Sequence, residues 1–446
     1  MTRVTPDLSL DRRAVLRAAL ATPLLLGAAG SLGSCGQERE KPGEVDSAPM
    51  VASDVSRDPA DPAVAPMAAS ATDRLGSGML RALFSAPPTQ NVLISPYSIA
   101  VALTMTKLGA RGETLTAMNA VLGETAKPLA PAFNALGQQL AGSAGEVEWG
   151  GGTATIAWSE ANSLWGQRGT PWEKPFLDDI ARSFGGGMHE VDYAGAREAA
   201  RADINAWTDA KTAGKIPEII SAQMLTALTR LVLVNAVHVK APWAKPFETA
   251  LTQTAPFTRA DGSRVEAHMM RGGAGGFRSG TSEPGFRAAT LPYAGGAFAC
   301  IAVLPDPGQE AAVHTLLTRG VRTLLTDRAD TTAAALAMPR FSLTYGADLV
   351  DSLASLGMGS AFDAGRADFS GMTTAEPLHI GGVAHQATMD VDEEGTEAAA
   401  ATAVGMEAGS GSVDVLEVVL DRPFYVVLHD TRVHAPLFVG FVADPS

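Results

Sequence analysis

Two kinds of hydrophobic pattern divide this chain: helical patterns come first and strand-like runs come later. Apolar residues recur at helical spacing over 72–84, 96–108, 131–140, 174–183 and 196–212. Runs rich in Val, Leu and Phe follow at 231–240, 297–304, 333–338, 413–420, 424–429 and 437–442. Helices gathered early and hairpin-like strands gathered late predict an α+β fold with mostly antiparallel sheets.

The folded region is predicted to be one domain over residues 69–446. Hydrophobic residues make up 46% of the chain and charged residues 18%, which allows a large core and excludes global disorder. No internal repeat, low-complexity break or block of charge interrupts this region. The glycine-rich segments 142–152 and 272–280 lie between patterned stretches, so they are predicted to be loops.

Residues 1–34 have the order of an export signal. A polar segment ending in Arg12-Arg13 precedes an apolar stretch over 14–29, which is too short and interrupted to span a membrane stably. The paired arginines are similar to a twin-arginine signal, although the general secretory route also accepts such pairs. Leu32-Gly33-Ser34-Cys35 resembles a bacterial lipobox, so we expect an exported protein held at the cell surface by lipid on Cys35. The alternative is an ordinary signal peptide with an unrelated cysteine.

The segment over residues 35–68 is rich in Pro, Asp, Ala and Ser and holds few large apolar residues. Such a composition cannot bury enough apolar surface to offset the entropy of ordering the chain. The segment is therefore predicted to be a disordered tether between the lipid anchor and the folded domain.

Several functional classes are disfavoured by the sequence. The net charge of −14 has the wrong sign for a nucleic-acid binder, and no basic stripe is present. The eight histidines form no HExxH motif, and no GxSxG nucleophile elbow is found. We therefore expect no catalytic residues, no metal, no cofactor and no nucleic-acid partner, and the chain is predicted not to be an enzyme.

The most unusual stretch of the chain is the acidic, alanine-rich segment 391–404. By composition it suits a helix or a solvated linker, yet strand-like sequence precedes and follows it. In a strand, alternate side chains face opposite sides of the sheet. Here Thr396 and every second residue to Val404 are small or modest in size, and Glu397 falls on the other face. With no proline to interrupt hydrogen bonding, the segment could be a loop in one state and a central strand in another.

A resemblance to the serpin family extends over roughly residues 70–446. Glu393-Glu394-Gly395-Thr396 and the alanine run after it resemble the serpin hinge almost residue for residue. Other segments resemble serpin motifs in the family's order: 91–99, 108–114, 161–165, 204–207, 212–216, 233–240, 243–247, 291–293, 338–341, 367–372, 422–424 and 435–440.

The resemblance implies a serpin fold, with early helices packed on a large mostly antiparallel sheet, further smaller sheets and an exposed reactive loop. It also implies a suicide inhibitor: a serine-type peptidase cuts the loop, forms an acyl-enzyme and is trapped when the hinge inserts as a strand. The partner is then that peptidase, bound covalently by a monomeric inhibitor. The matching hinge residues are Glu394, Gly395, Thr396, Glu397, Ala398, Ala399, Ala400, Ala401 and Thr402.

The family pattern also implies a polar cluster beneath the centre of the sheet, formed by Ser95, Ser98, Asn235 and His385. Counting from the hinge places the scissile bond at Gly409-Ser410, whereas counting back from the motif at 422–424 moves it as far as Ser412-Val413. The window 407–413 contains no Arg, Lys or aromatic residue, which favours a peptidase that accepts small residues, and Met406 is a rival site. The alternative function is a non-inhibitory serpin that serves as a surface binding or carrier module.

Overall fold

Four of the five predicted helices lie within one residue of their predicted bounds, whereas the helix predicted over 72–84 begins earlier, at Ala65. The computed structural model describes residues 49–125, 127–149, 152–272, 279–326, 332–396 and 415–446. Its helices are α1 (Ala65–Leu83), α2 (Pro96–Lys107), α3 (Gly112–Leu122), α4 (Ala130–Ala141), α5 (Lys174–Phe184), α6 (Arg197–Lys211), α7 (Glu310–Leu317), α8 (Thr323–Thr326), α9 (Val350–Leu353) and α10 (Gly359–Phe362). Helix α2 shows why: the Ser95 hydroxyl accepts a hydrogen bond from the Ser98 amide and Pro96 occupies the first turn, two standard signals for a helix start.

The described residues form eighteen strands. They are β1 (Met50–Val51), β2 (Val92–Ile94), β3 (Gly145–Trp149), β4 (Gly152–Gln167), β5 (Met188–Val191), β6 (Leu231–Pro242), β7 (Gln253–Thr258), β8 (Arg264–Gly272), β9 (Ser279–Glu283), β10 (Phe286–Pro292), β11 (Phe298–Pro305), β12 (Thr332–Pro339), β13 (Phe341–Asp348), β14 (Gly382–Val391), β15 (Gly395–Thr396), β16 (Val415–Val419), β17 (Phe424–Asp430) and β18 (Pro436–Val442).

Two large sheets organise these strands. The main sheet has the order β1-β5-β4-β6-β15-β14-β13, with β3 paired to β4. The second sheet has the order β2-β18-β17-β11-β10-β9-β12-β8-β7, with β16 paired to β12. The prediction of an α+β fold is confirmed. Most pairs are antiparallel, but β4–β5, β6–β14 and β12–β16 are parallel, so both sheets are mixed.

Strand β6 lies in the core because helices cover both faces of the main sheet. On one face, Ile204 and Trp207 of α6 share a buried apolar cluster with Val232 and Val234. On the other face lies α2, and every residue of that helix is buried. A strand covered on both faces carries a continuous apolar run, which explains the sequence of β6.

The structure differs from the predicted tether over its last twenty or so residues. Strand β1 pairs with β5, and the Glu190 amide donates a hydrogen bond to the Pro49 carbonyl. The Ser53 hydroxyl donates to Asp178, and the Arg57 guanidinium donates to the Asn134 side chain. Residues 49–60 therefore form a strap on the edge of the main sheet, held by backbone and polar contacts that an apolar pattern does not reveal.

The predicted loop over 142–152 is also corrected. Residues 145–149 form β3, which pairs antiparallel with the start of β4. In the second glycine-rich segment, Gly272 ends β8 and Ser279 begins β9, and residues 273–278 lie outside the described part. Among the described helices, none is both long and apolar enough to cross a membrane.

Candidate functional site

The main sheet contains a gap in its pairing between its two central strands. Strands β6 and β14 pair in parallel from Val232 opposite Gly382 to Val237 opposite Ala387. Beyond that point they pair with each other no further in the described chain, and the short strand β15 lies between them. Residues 238–240 of β6 and 388–390 of β14 therefore flank a space in the ladder, which we call the sheet gap.

The hinge already occupies the end of the sheet gap. Thr396 pairs antiparallel with Ala241 on β6 and with Val391 on β14, and its side chain is 1% exposed. The Tyr293 hydroxyl lies 2.5 Å from the Thr396 hydroxyl oxygen. The Tyr293 ring in turn stacks on Trp243 with 4.5 Å between ring centroids. Thr396 is thus buried with its hydroxyl satisfied, as the predicted inward-facing residue requires.

Gly395 lies so close to the β6 backbone that a residue with a side chain would not fit there. A β-carbon at this position would lie 2.2 Å from the Ala241 carbonyl oxygen, closer than any real contact. The backbone of the hinge is further fixed by Trp243, whose amide donates to the Glu394 carbonyl at 2.8 Å and whose indole donates to the Asp392 carbonyl at 3.0 Å. A glycine at this position therefore allows the close approach of two chains.

Glu393 anchors the turn that leads into the hinge. Its carboxylate accepts three hydrogen bonds from the Arg340 guanidinium, at 2.6 to 2.9 Å, and one from the Thr252 hydroxyl at 2.5 Å. Burial raises the pKa of Glu393, but the hydrogen bonds from Arg340 and Thr252 outweigh it, so the net pKa lies below its ordinary value. The carboxylate remains charged and paired at neutral pH.

The structure brings together the four residues of the predicted polar cluster. His385 Nδ1 lies 2.6 Å from Asn235 Oδ1, and the Ser95 amide donates to His385 Nε2 at 3.2 Å. Since Nε2 accepts, the proton of the neutral ring sits on Nδ1 and is donated to Asn235. Burial lowers the pKa of His385 to about 4. Ser98 joins through its amide, which donates to the Ser95 hydroxyl at 3.3 Å.

The cluster joins β6 and β14 where the two strands are still paired, next to the sheet gap. Asn235 lies on β6 and His385 on β14, and they stand opposite each other in the parallel ladder. Ser95 and Ser98 lie at the start of α2 beneath the sheet. The side-chain bond between Asn235 and His385 therefore joins the two strands that a new strand would have to separate.

The structure adds residues to this cluster that the sequence analysis missed. The Ser98 hydroxyl donates to Asn162 Oδ1 at 2.6 Å, and Asn162 stands opposite Asn235 across β4 and β6. Nearby, Glu160 Oε1 accepts from the Tyr97 hydroxyl at 2.9 Å and from the Trp158 indole at 2.6 Å. Burial raises the pKa of Glu160 above its ordinary value, although these hydrogen bonds oppose the rise. The alternation of polar residues along β4 could have indicated that these side chains belong to the cluster.

Part of the predicted site lies outside the described residues. This holds for Cys35, for the hinge residues after Thr396 (Glu397, Ala398, Ala399, Ala400, Ala401 and Thr402), and for the bond between Gly409 and Ser410. Within the described ranges, no group of three or more His, Cys, Asp or Glu side chains is arranged to hold a metal ion. Cys300 is a buried thiol on β11, and burial raises its pKa to about 12.

Comparison with known proteins shows which family the chain belongs to. The sequence profile of the family described as "Serpin (serine protease inhibitor)" matches residues 70–445. The chain belongs to the serpin family. The targets that this description assigns to the family are serine peptidases, which makes a peptidase of that class the partner to consider for this serpin.

Individual relatives match this chain over most of their length. A leukocyte elastase inhibitor of Bos taurus is 32% identical over 384 residues, which cover 84% of this serpin and 99% of the relative. An uncharacterized serpin-like protein of Methanosarcina mazei is 30% identical and covers 80% and 82% of the two chains. The native-state crystal structure of tengpin, a thermophilic serpin, superimposes with a TM-score of 0.75 at 27% identity and covers 89% and 100%.

The prediction that the chain is not an enzyme is replaced by a statement about its family. The comparisons concern a family described as serine protease inhibitors, with similar relatives that are named as inhibitors. What they support is membership of a family of protease inhibitors.

Proposed function

We propose that this serpin inhibits a serine peptidase by inserting its cleaved loop into the main sheet. The observation that carries the proposal is the sheet gap with Thr396 already seated at its end. Residues 238–240 and 388–390 flank the space that residues after Thr396 would occupy. Apart from Glu397, which falls on the other face, those residues are small or modest in size up to Val404, so they could fill the gap without large side chains to accommodate.

The mechanism follows from the pairing of the central strands. Insertion replaces one parallel contact between β6 and β14 with two antiparallel contacts, which add backbone hydrogen bonds and are slightly more stable per residue. The separating strands must release the bond between Asn235 and His385. If the strand enters before the acyl-enzyme hydrolyses, the attached peptidase is carried away from its attack position and trapped.

The proposed target is a peptidase that accepts small residues at its cleavage site. The window 407–413 has no Arg, Lys or aromatic residue, and counting from the hinge selects Gly409-Ser410. An elastase-like or subtilisin-like peptidase fits this window better than one that requires a basic or aromatic residue. The name of the bovine relative, leukocyte elastase inhibitor, points in the same direction.

The experiment is incubation with a panel of serine peptidases, followed by denaturing electrophoresis and mass spectrometry. We expect a complex that resists SDS and a cut within 407–413. Thr396→Arg should turn the inhibitor into a substrate, because Thr396 is already buried. A charged side chain there would displace the hinge from the sheet, and insertion would then have to bury an unpaired charge at a cost of several kcal/mol. The same substitution at the exposed Thr374 is the control and should leave inhibition intact. Binding without any covalent complex would favour the carrier function instead.

We also propose that the protein is an exported bacterial lipoprotein that acts as a monomer at the cell surface. The support is the export-signal pattern over 1–34 and the lipobox-like Leu32–Cys35. Cys35→Ala should move the protein from the membrane fraction to the soluble fraction. A wild-type protein that is wholly soluble and has its mature N-terminus elsewhere would contradict the anchor.

A further inference from the structure

A cavity of about 480 Å³ lies against the second half of α1. The end of α3, the turn after α7 and the segment between α9 and α10 close its other sides. Sites that bind small organic molecules have volumes of about 300–1,000 Å³, so the cavity is large enough for such a molecule. None of the residues that line it belongs to the hinge, the sheet gap or the polar cluster. Loop insertion therefore does not account for it.

The spacing of residues on α1 shapes the cavity. Arg74, Ser77, Gly78 and Arg81 follow one another at three- and four-residue intervals, so they lie on one face of the helix. Ser77 and Gly78 fill little space and leave a depression between the two arginines, which stand about 10 Å apart along the helix axis. A β-carbon on Gly78 would lie 3.3 Å from Leu356 Cδ1, so Leu356 packs directly on the α1 backbone. The depression is thus covered on one side by an apolar side chain.

Three guanidinium groups line the cavity without a carboxylate partner. Arg74 Nε donates a hydrogen bond to the Ala120 carbonyl at 3.2 Å, and Arg81 Nη1 donates to the Thr318 carbonyl at 3.4 Å. Neither of them, nor Arg319, forms an ion pair with a described residue. A guanidinium has five N–H donors, and all three arginines are exposed. Most of their donors are therefore open to a ligand that arrives from solvent.

Among the described residues that line the cavity, Asp73 alone is acidic. Its carboxylate accepts a hydrogen bond from the Arg322 amide at 2.8 Å. Burial raises the pKa of Asp73, and the amide and guanidinium of Arg322 oppose the rise. One carboxylate therefore faces three arginines in the cavity, and it already has a cation beside it. Leu75 and Val121 also line the cavity and are buried, so its inner part is apolar and its exposed rim is positive.

We propose that this cavity binds a small amphipathic organic anion, a compound with one acidic head group and an apolar body. Guanidinium groups bind anionic oxygens through charge-assisted hydrogen bonds, which are stronger than those between neutral groups. The apolar body would cover Val121 and Leu356, since ligand sites combine apolar surface with a few polar groups that fix orientation. The inference goes beyond the proposed inhibitory function and does not depend on it, because binding here requires neither a peptidase nor loop insertion.

The test is calorimetric titration of the full-length, uncleaved protein with naphthalenesulfonate. Naphthalenesulfonamide has the same ring system without the charge, and inorganic sulfate has the charge without the rings. The variant Arg74→Gln/Arg81→Gln/Arg319→Gln removes the positive charge of the cavity. The matched control removes three exposed arginines that do not line the cavity, Arg168→Gln/Arg264→Gln/Arg271→Gln.

A second variant changes the space and keeps the charge. Ala120 is exposed and lines the cavity, so the indole of Ala120→Trp should occupy part of the volume while the three arginines remain. Its control is Ala202→Trp, at an exposed position of α6. Thermal melting of each variant without ligand shows whether it is folded. If the arginine variant does not fold, Ala120→Trp and its control decide the question on their own.

We expect one naphthalenesulfonate to bind per chain, and the sulfonamide and sulfate each to bind about tenfold more weakly or worse. The arginine variant and Ala120→Trp should each lose affinity for naphthalenesulfonate by about tenfold or more, while both controls bind as wild type does. The site is overturned if wild type shows no saturable binding or binds the sulfonate and the sulfonamide equally well. It is also overturned if either folded cavity variant binds as tightly as its control.

Discussion

The hydrogen bond between Tyr293 and Thr396 holds the hinge in the sheet before any cleavage. Tyr293→Phe removes the hydroxyl but keeps the ring that stacks on Trp243. The buried Thr396 hydroxyl is then left without this partner, so we expect the free energy of unfolding to fall by about 1–2 kcal/mol. Thermal melting of the uncleaved protein measures this effect. Tyr345→Phe, at a half-buried residue of β13, is the matched control and should change little.

The Glu393–Arg340 pair makes the stability of the hinge depend on pH. The pKa of Glu393 is lowered in the folded state, so the pair stabilises the protein above the unfolded pKa and is lost as the pH falls through the folded pKa. Glu393→Gln should therefore lower the melting temperature at pH 7, by an amount equivalent to about 1–3 kcal/mol, and have little effect below the folded pKa. The exposed Glu417→Gln is the control. A loss that is equal at neutral and strongly acidic pH would contradict an electrostatic origin.

The pairing of the strap with the main sheet depends on a close approach between the backbones of Gly187 and Val51. A β-carbon on Gly187 would lie 2.4 Å from the Val51 carbonyl oxygen, whereas one on Gly186 would meet nothing within 4 Å. Gly187→Ala should therefore push β1 away from β5 and cost about 1–3 kcal/mol, and Gly186→Ala should not. Thermal melting and hydrogen exchange at Met50 and Val51 measure the effect. Unchanged protection of these amides in Gly187→Ala would mean that the strap is not held by this contact.

The elements that the sequence predicts well are those whose local signals agree with their final packing. The predicted helix 96–108 becomes Pro96–Lys107 because Ser95 and Pro96 fix its start. The predicted strand 231–240 becomes Leu231–Pro242 because both of its faces are buried. The sequence predicts a loop at β3 because glycines surround its short alternation, whereas its pairing with β4 makes it a strand. The local sequence pattern does not reveal which strand a segment will pair with.

Some residues of the candidate site could be predicted from the sequence, and others could not. Glycine and threonine at 395 and 396 follow from the resemblance to the serpin hinge, and the polar cluster follows from matched positions. The contacts of Trp243 and Tyr293 around Thr396 do not. Both residues lie in segments that resemble serpin motifs, 243–247 and 291–293, but they are far from Thr396 in sequence. Their role depends on distances between side chains, which only the folded chain provides.

At the scale of the whole molecule, the main sheet is incomplete at its centre. Strands β6 and β14 pair over 232–237 and 382–387 and then part, with only two hinge residues between them. The remaining edges of the sheet gap could pair with the strand that residues after Thr396 would form. The uncleaved fold therefore holds fewer backbone hydrogen bonds than the same chain could make once the loop is cut and free to move.

Cleavage of the loop should consequently stabilise the protein. Each added backbone hydrogen bond contributes about 1 kcal/mol, so insertion of several residues should raise the melting temperature by more than about 10 °C. The measurement is calorimetry before and after cutting within 407–413 with a peptidase that is not trapped. Thr396→Arg, cut in the same way, should show a much smaller rise because its charge opposes insertion, and Thr374→Arg should behave as wild type. If cut and uncut wild type melt at the same temperature, the sheet gap does not take up the loop, and the inhibitory mechanism loses its driving force.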